Sequence, residues 1–256
     1  MNTLGQIFDA YNIRARLAPM LLVLLPAALA GISWFPPEAK WQAAIAGVGG
    51  TLALGVLFAE LGRDHGKKKE QHLYKLWGGK PSTQLMSFRT SSLNSLTLKR
   101  YREILQRVRP DLRLPGSEEA ELADTTSADK VYESCGDFLR HETRDKAKFP
   151  LLFEANISFG FRRNLWAMKP AAVGIAVISG AACVVRVYTL ALSSGSAMPV
   201  PTISSVLILL LLVWWATRIS PAWVKPIAFA YAEHLLEACQ SLEEQPSNSL
   251  GPKVIL

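Results

Sequence analysis

The stretch Pro201 to Thr217, PTISSVLILLLLVWWAT, decides the fold of this 256-residue chain, because it is strongly apolar and contains no charged residue. Three other long runs share its character, with Arg186 as the one charge among them; they are residues 17–35, 41–59 and 171–200. A helix needs about 20 apolar residues to cross the hydrocarbon core of a bilayer. A single run of this kind could be a buried helix of a soluble protein, but four in one short chain predict four transmembrane helices.

One basic loop separates these runs into two pairs. Of the 28 Lys and Arg residues, 21 lie between Glu60 and Pro170, whereas the turn inside each pair carries at most one cation. Loops rich in Lys and Arg stay in the cytoplasm, and an even number of spans puts both termini on one side. We therefore expect a multi-pass membrane protein, with both termini and the central domain in the cytoplasm. The competing interpretation of the first run is a cleavable signal peptide that ends near Ala30.

The sequence thus predicts an all-α membrane protein, with four transmembrane helices and a helical cytoplasmic domain inserted between the second and the third. Residues 1–61 are expected to form an N-terminal interfacial helix and the first two spans. Residues 62–158 are expected to form a helical, ligand-sensing domain. A juxtamembrane elbow and the last two spans follow in residues 159–221, and a cytoplasmic helix and tail in residues 222–256.

Small residues recur every four positions in the second run, at Gly47, Thr51 and Gly55 among others. Small side chains let transmembrane helices approach closely, so this face is predicted to pack against another helix, within the chain or between subunits. A pore lined by the same residues is the alternative. Arg186 lies about 24 Å along the third span from Pro170. Its side chain can snorkel to the outer interface, or it can face a pore and bias ion passage.

The central loop changes the sign of its charge along its length. Residues 67–113 contain twelve Lys or Arg against three Asp or Glu, and residues 117–154 contain ten acidic against five basic residues. Amphipathic helices are predicted at 98–109 and 128–148, so the two halves can pair as a small helical domain. The excess of cations favours a phosphate-bearing ligand, a nucleotide or single-stranded oligonucleotide, with anionic lipid as the rival. The candidate ligand-binding residues are Lys67, Lys68, Lys69, Lys75, Lys80, Lys99, Arg100, Arg102, Arg107, Arg109 and Arg113.

Aromatic and basic side chains alternate in residues 156–170, just before the third span. This pattern is typical of a juxtamembrane anchor, with cations on lipid phosphates and rings at headgroup depth. The second interpretation is an elbow that couples the cytoplasmic domain to the membrane helices. Pro170 suits the first turn of the third span. The candidate coupling residues are Phe161, Arg162, Arg163, Trp166 and Lys169.

The sequence contains no recognisable catalytic pattern, so we expect a protein that is not an enzyme and that needs no cofactor or metal. His65 and His72 lie two helical turns apart, but the pattern offers no third metal ligand. The stretch 77–82, WGGKPS, resembles a phosphate-binding loop loosely and is interpreted as a turn, because no strand precedes it. The three cysteines have neither redox nor metal spacing and are expected to be small core residues.

Two segments, FPLLFEANISFGFRRNLWAMKP at 149–170 and YKLWGGKPST at 74–83, resemble a family of small bacterial membrane proteins. The layout of the whole chain is similar to four-pass membrane effectors of anti-phage defence systems, in particular to channel effectors of the Hailong type, which work with a nucleotidyltransferase. The resemblance implies an oligomeric channel that an oligonucleotide bound to the cytoplasmic domain opens or closes. Opening would depolarise an infected cell.

A ligand-gated ion channel is therefore the leading hypothesis. Four helices enclose too little space for a polar path, so we expect a homo-oligomer, with a tetramer as the predicted state. The expected partners are membrane lipid, the nucleotide or oligonucleotide ligand, and a companion nucleotidyltransferase. Two other classes stay open. One is a non-conducting membrane scaffold that recruits a soluble partner, and the other is a small transporter, which the lack of internal repeats disfavours.

Overall fold

The computed structural model describes residues 10–34, 47, 49–50, 64–194 and 199–243, and all regular structure within them is helical. This confirms the predicted all-α class for the described residues. A π-helical turn, Asn12–Leu17, leads directly into the first α-helix. The α-helices, numbered in chain order, are α1 (Ala18–Trp34), α2 (64–77), α3 (Pro81–Met86), α4 (Ser95–Val108), α5 (Glu118–Ala123), α6 (Thr125–Glu142), α7 (Pro150–Ser194), α8 (Pro199–Thr217) and α9 (Pro221–Glu243).

Three helices are long and apolar enough to cross a membrane: the continuous helix Asn12–Trp34, α7 and α8. They correspond to the first, third and fourth apolar runs of the sequence, and their number and length indicate a membrane protein. The second run, residues 41–59, lies outside the described residues except for three glycines. Its span, and with it the four-span topology, stays a prediction.

The structure divides into two compact units. The first unit consists of Met1–Leu73 and Ile157–Val224, and the second of Tyr74–Asn156 and Lys225–Leu256. The helices α2, α7 and α9 each contain residues of both units. The C-terminal helix, which the sequence places in a segment of its own, belongs largely to the second unit, because six of its side chains between residues 232 and 242 are part of that unit's core.

The first unit is built on contacts among α1, α7 and α8. One cluster of buried side chains contains Val23, Leu165, Met168, Ala172, Trp215 and Ile219, and another contains Ala30, Ala176, Cys183 and Ile208. The other faces of α7 and α8 expose large apolar side chains such as Ile178, Leu192 and Leu210. This exposure is what a lipid environment allows, since lipid tails are as apolar as these side chains.

The second unit packs α3, α4, α6, the start of α7 and most of α9 around one core. The apolar stripes predicted on its two loop helices are confirmed by burial. The buried members are Leu98, Tyr101 and Leu105 on α4 and Tyr132, Cys135 and Leu139 on α6. Leu235 and Leu236 of α9 complete the same core and are fully buried. Helix α4 of the basic half and helix α6 of the acidic half therefore share one core with the C-terminal helix.

Side-chain caps set the limits of α6, which runs from Thr125 to Glu142 rather than over the predicted 128–148. Asp124 Oδ1 accepts a hydrogen bond from a backbone N–H of the first turn at 2.9 Å. This satisfies a donor that has no partner inside the helix. Beyond the helix, Asp145 Oδ1 accepts bonds from two backbone N–H groups that follow it. Those bonds form a separate turn, so the helix stops earlier than its apolar periodicity indicates.

The helix α7 begins at Pro150 and continues for 45 residues to Ser194. Pro150 occupies the first turn, where its missing N–H leaves no intrahelical bond unmade. Pro170 does not lie in the first turn of a helix, as predicted, but in the interior of α7. Residues 156–170, predicted as an anchor or elbow, are continuous α-helix.

Candidate anion-binding surface and helix joint

A buried carboxylate lies inside the second unit. Glu121 of α5 is fully buried. It accepts hydrogen bonds from Arg89 Nε at 2.6 Å and from the Tyr132 hydroxyl at 2.9 Å. The backbone N–H of Phe88, at 2.8 Å, and the hydroxyl of Ser87 also donate to it. A buried charge is stable only when it is paired and hydrogen-bonded, and these four donors meet that requirement.

The protonation states of this cluster follow from the same contacts. Burial by itself would raise the pKa of Glu121, but the hydrogen bonds it accepts outweigh burial and hold the pKa below its ordinary value. Burial is the main reason why the pKa of Tyr132 is raised to about 12. At neutral pH an ionised Glu121 therefore accepts a hydrogen bond from a neutral Tyr132.

Arg102, one of the predicted ligand-binding residues, lies in the interior of the second unit. Its side chain is almost completely buried. The guanidinium donates to the Tyr132 hydroxyl at 3.0 Å and to the carbonyl groups of Met86 and Pro115. It also lies 4.0 Å from the centre of the Phe88 ring. Its donors are used within the fold, so Arg102 holds α4 to the rest of the unit and does not form part of an exposed binding surface.

Four other predicted ligand-binding cations already have a partner. Lys80 pairs with Glu133 at 3.2 Å, Arg107 with Glu243 at 2.5 Å, and Arg109 with Asp111 at 2.6 Å. Lys69 lies 5.6 Å from the centre of the Trp166 ring. Surface ion pairs of this kind contribute about 1 kcal/mol or less to stability. The three carboxylates nevertheless balance the charges of Lys80, Arg107 and Arg109, so less of the positive charge of the loop is available to a ligand.

The remaining six predicted cations are exposed. Lys67, Lys68, Lys75, Arg100 and Arg113 have no ion-pair partner within the part of the chain that the structure describes. Lys99 makes only a 3.9 Å contact with Glu103, and both side chains are mostly in solvent. Lys67 and Lys68 belong to the first unit and the other four to the second. These six residues are the candidate anion-binding residues that remain from the sequence-based set.

The predicted coupling residues lie together on one stretch of α7. Phe161 packs against the buried cluster around Trp215. Arg162 Nη1 donates to the backbone carbonyl of Trp223 at 2.8 Å. The guanidinium of Arg162 also lies 4.6 Å from the centre of the Trp223 ring. Lys169 Nζ donates to the carbonyls of Ala216 and Ile219, at 3.0 and 2.8 Å. The Lys169 ammonium thus caps the C-terminal end of α8, where the last carbonyl groups lack intrahelical donors and carry partial negative charge.

The other two coupling residues contact α2. Arg163 forms an ion pair with Glu70. The rings of Trp166 and His72 lie parallel within 5°, with centroids 6.1 Å apart. The predicted coupling segment is therefore the place where α7 meets α2, α8 and the start of α9 within the first unit.

Asn164 lies among these contacts, although the sequence did not single it out. It is 1% exposed, and its Nδ2 donates to the carbonyl of Ala15 at 2.7 Å. Gly66 of α2 approaches Asn164 so closely that a Cβ at residue 66 would collide with the side-chain oxygen of Asn164. A Cβ at Gly160 would lie 3.1 Å from the Cβ of Ala15. Three segments thus meet with little free space: the π-helical turn, α2 and α7.

The residues predicted for a pore or for helix packing are only partly described. Arg186 Nε donates to the carbonyl of Ser33 at 3.4 Å, and its guanidinium lies 5.3 Å from the centre of the Trp34 ring. Gly47 lies next to Ile32 of α1, with 3.8 Å between the position of an added Cβ and the nearest side-chain atom. Thr51 and Gly55 lie outside the described residues.

The WGGKPS stretch forms a turn, as interpreted from the sequence. Gly78 and Gly79 have positive φ angles of 86° and 142°, which glycine adopts without steric cost. The N–H of Gly79 donates to the carbonyl of Tyr74 at 2.8 Å. Gln84 Nε2 donates to the carbonyls of Trp77 and Gly79. The Gly79 N–H, a donor of the kind that a phosphate-binding loop presents, is thus used within the turn that ends α2.

Fold and contacts together define the class of this protein: an α-helical protein with three helices able to cross a membrane and a second helical unit with its own core. Within the described residues, no group of three or more His, Cys, Asp or Glu side chains is placed to hold a metal ion. No family model, no curated protein and no solved structure matches the chain. Its function therefore has to be argued from its own residues.

Proposed function

We propose that the protein is an oligomeric channel effector of the bacterial inner membrane, gated by a phosphate-bearing ligand that binds to the second unit. The ligand is a nucleotide or a single-stranded oligonucleotide. Residues 41–59 form the second of four spans, and both termini and the second unit lie in the cytoplasm. Opening of the oligomer depolarises the membrane, in keeping with the resemblance to effectors of anti-phage defence.

The observation that carries this proposal is selective charge pairing in the second unit. Lys80, Arg107 and Arg109 are neutralised by carboxylates of the same unit. Arg100 and Arg113 are exposed and have no such partner within the described residues. Exposed Lys and Arg side chains bind phosphates by displacing the counterions of the ligand. Of the cations singled out in the sequence, Lys75, Lys99, Arg100 and Arg113 are therefore the proposed ligand-binding set of this unit.

The distribution of cations in the first unit supports the proposed orientation. Arg162, Arg163 and Lys169 lie at the end where α7 meets α2 and the C-terminal end of α8. Arg186 lies beside Trp34, at the other end of the apolar stretch. Positively charged ends of transmembrane helices remain on the cytoplasmic side, which favours the Lys169 end as the cytoplasmic one.

Binding is tested with the full-length protein in detergent and a fluorescent single-stranded oligonucleotide. The variant Arg100→Gln/Arg113→Gln is compared with Lys130→Gln/Arg144→Gln, which removes the same charge from exposed positions outside the proposed set. We expect only the first variant to bind more weakly. Its slope of log affinity against log salt should fall by about 0.7 for each phosphate that the variant no longer binds. Equal affinities and slopes for the two variants would show that these arginines bind no phosphate.

Conduction is tested separately by ion flux from liposomes that contain the purified protein. Ligand-dependent flux supports the channel. A bilayer that stays tight with bound ligand supports the scaffold, the second candidate. Leu96 and Leu122 of the second unit, 77% and 58% exposed, are then the first positions to substitute in a search for its soluble partner.

A further inference from the structure

Pro19 removes one backbone hydrogen bond from the N-terminal helix. Because proline has no N–H, the carbonyl of Ala15, four residues earlier, has no α-helical donor. The helix is π-helical over Asn12–Leu17, and the N–H of Ala18 bonds to the carbonyl of Ile13. Ala15 is fully buried, and a buried carbonyl without a donor is costly. In the α-helical register the helix itself therefore supplies no donor for the Ala15 carbonyl, and a side chain of another segment can take that place.

Asn164 of α7 supplies that donor. Its Nδ2 lies 2.7 Å from the carbonyl oxygen of Ala15 and is itself buried. The two residues are 149 positions apart in the chain, so the bond ties the N-terminal helix to α7. Helices that lose a backbone bond to proline are commonly satisfied in this way by a polar side chain of a neighbouring helix.

Two neighbours hold the Asn164 side chain in the donating position. Arg163 Nε and Nη2 both lie 3.3 Å from Asn164 Oδ1, so the amide oxygen faces a guanidinium and the amide nitrogen faces Ala15. Gly66 of α2 lies against the same oxygen and leaves no room for a larger residue at position 66. Glu70, one helical turn later on α2, pairs with Arg163. The position of α2 therefore fixes the orientation of the amide.

We propose that Asn164 is a polar latch between the N-terminal helix and α7, and that α2 keeps this latch closed through Gly66 and Glu70. In the closed state, which this structure represents, the Ala15 carbonyl has its donor. Movement of α2 away from Asn164 frees the amide, and the π-helical turn then loses its attachment to α7. The latch is a device of the first unit and stands apart from the proposed ligand of the second.

The first test asks whether Asn164 compensates for Pro19. Asn164→Leu removes the donor, and Pro19→Ala restores the backbone N–H that can replace it. In thermal unfolding of the full chain in detergent, we expect Asn164→Leu to lower Tm by about 4 to 8 °C when Pro19 is present. The loss should be at most half as large when Asn164→Leu is combined with Pro19→Ala. A loss of equal size in both backgrounds, or no loss in either, overturns the proposal.

A matched control and a milder variant keep this test decisive. Asn156→Leu makes the same chemical change on α7, at a residue with no side-chain hydrogen bond within the described chain. It should give the same Tm shift in both backgrounds. Asn164→Ala removes the donor without adding bulk and is compared in the same two backgrounds, so the result does not depend on whether Asn164→Leu folds.

The second test asks whether α2 holds the latch closed. Gly66→Ala places a methyl group against Asn164 Oδ1, so the amide has to turn away from Ala15. We expect faster amide hydrogen exchange of residues 10–20 in Gly66→Ala, and no further increase when Asn164→Ala is added. Exchange in Gly66→Ala that matches the unsubstituted protein, or increases that simply add in the double variant, would refute the role of α2.

Discussion

Lys169 and Arg186 lie on α7 about 26 Å apart, and each donates to backbone carbonyls at the C-terminal end of a neighbouring helix. Lys169 bonds to the end of α8, and Arg186 to Ser33 at the end of α1. Helix C-termini carry partial negative charge, which a cation stabilises. Within the first unit, α1 therefore runs parallel to α7 and α8 antiparallel to it. The sixteen residues between the two cations contain no charge.

The cap made by Lys169 should contribute measurably to stability. Lys169→Met leaves the carbonyls of Ala216 and Ile219 without their charged donor, and we expect a loss of about 1 to 2 kcal/mol. Thermal unfolding in detergent measures this loss, with Arg218→Gln as the control, because Arg218 is exposed and lies at the same end of α8. If Lys169→Met is as stable as the control, water donates hydrogen bonds to these carbonyls as effectively as Lys169 does.

The buried carboxylate of Glu121 should be a major determinant of the stability of the second unit. Glu121→Gln leaves Arg89 with one exposed partner, Asp129, and we expect a loss of about 3 kcal/mol. Glu118→Gln on the same short helix is the matched control, since Glu118 is exposed. Chemical denaturation followed by circular dichroism measures both variants. A loss of similar size in both would contradict the assigned role.

The pH dependence of this effect follows from the lowered pKa of Glu121. The folded state binds its proton less readily than the unfolded state does, so acid favours unfolding. The contribution of Glu121 is therefore fully present above about pH 4.5, its ordinary value, and is lost as the pH falls through the lower value of the folded state. We expect the stability difference between the unsubstituted protein and Glu121→Gln to shrink below that pH. A constant difference down to pH 2 would exclude this assignment.

For Tyr132 we expect the opposite pH dependence, a loss of stability at alkaline pH. Its pKa is raised to about 12, from an ordinary value of 10, so the folded state keeps a proton that the unfolded state releases. Stability linked to Tyr132 is present below pH 10 and declines as the pH rises towards 12. Tyr132→Phe lacks this dependence and should also lose about 1 to 3 kcal/mol at neutral pH, because Glu121 and Arg102 each lose a partner. Denaturation curves at pH 8 and pH 11 compare the two proteins.

The two cysteines of the second unit should be unreactive in the folded protein. Burial raises the pKa of Cys135 to about 11 and that of Cys239 to about 12, and only the thiolate reacts with alkylating reagents. At pH 8 we expect iodoacetamide to modify both thiols only after denaturation, as measured by mass spectrometry of the peptides. Modification of the native protein at the rate of a free cysteine would show that the second unit opens readily.

The stripe on α4 illustrates what the sequence can predict. Leu98, Tyr101 and Leu105 recur with helical spacing, and all three are buried. The same spacing places Arg102 on this face, four residues after Leu98 and three before Leu105. Its charge nevertheless led to its assignment as a ligand-binding residue. The acceptors that make its burial possible, at Met86 and Pro115, come from other parts of the chain, and no local pattern predicts their position.

The contact of the π-helical turn, α2 and α7 around Asn164 shows the same limit of prediction from sequence. Pro19 inside an apolar run predicts that the Ala15 carbonyl lacks its α-helical donor, since proline has no backbone N–H. The identity of the donor depends on how α7 packs against the N-terminal helix, and that packing brings together residues 149 positions apart. The aromatic and basic pattern in residues 156–170 includes the position of Asn164. It pointed to the charged side chains of that stretch and missed the neutral one.

The contribution of α9 to the second unit has a consequence for the order of events during synthesis. Leu235, Leu236 and Leu242 close a core whose other helices contribute residues from before position 157. A ribosome therefore completes α7 and α8 before it releases the last part of that core. Until α9 has been synthesised, the apolar side chains of the loop helices that it covers remain exposed, and such exposed surface favours aggregation. Stalling or early termination between residues 157 and 230 should thus be more harmful to the cell than loss of the final dozen residues.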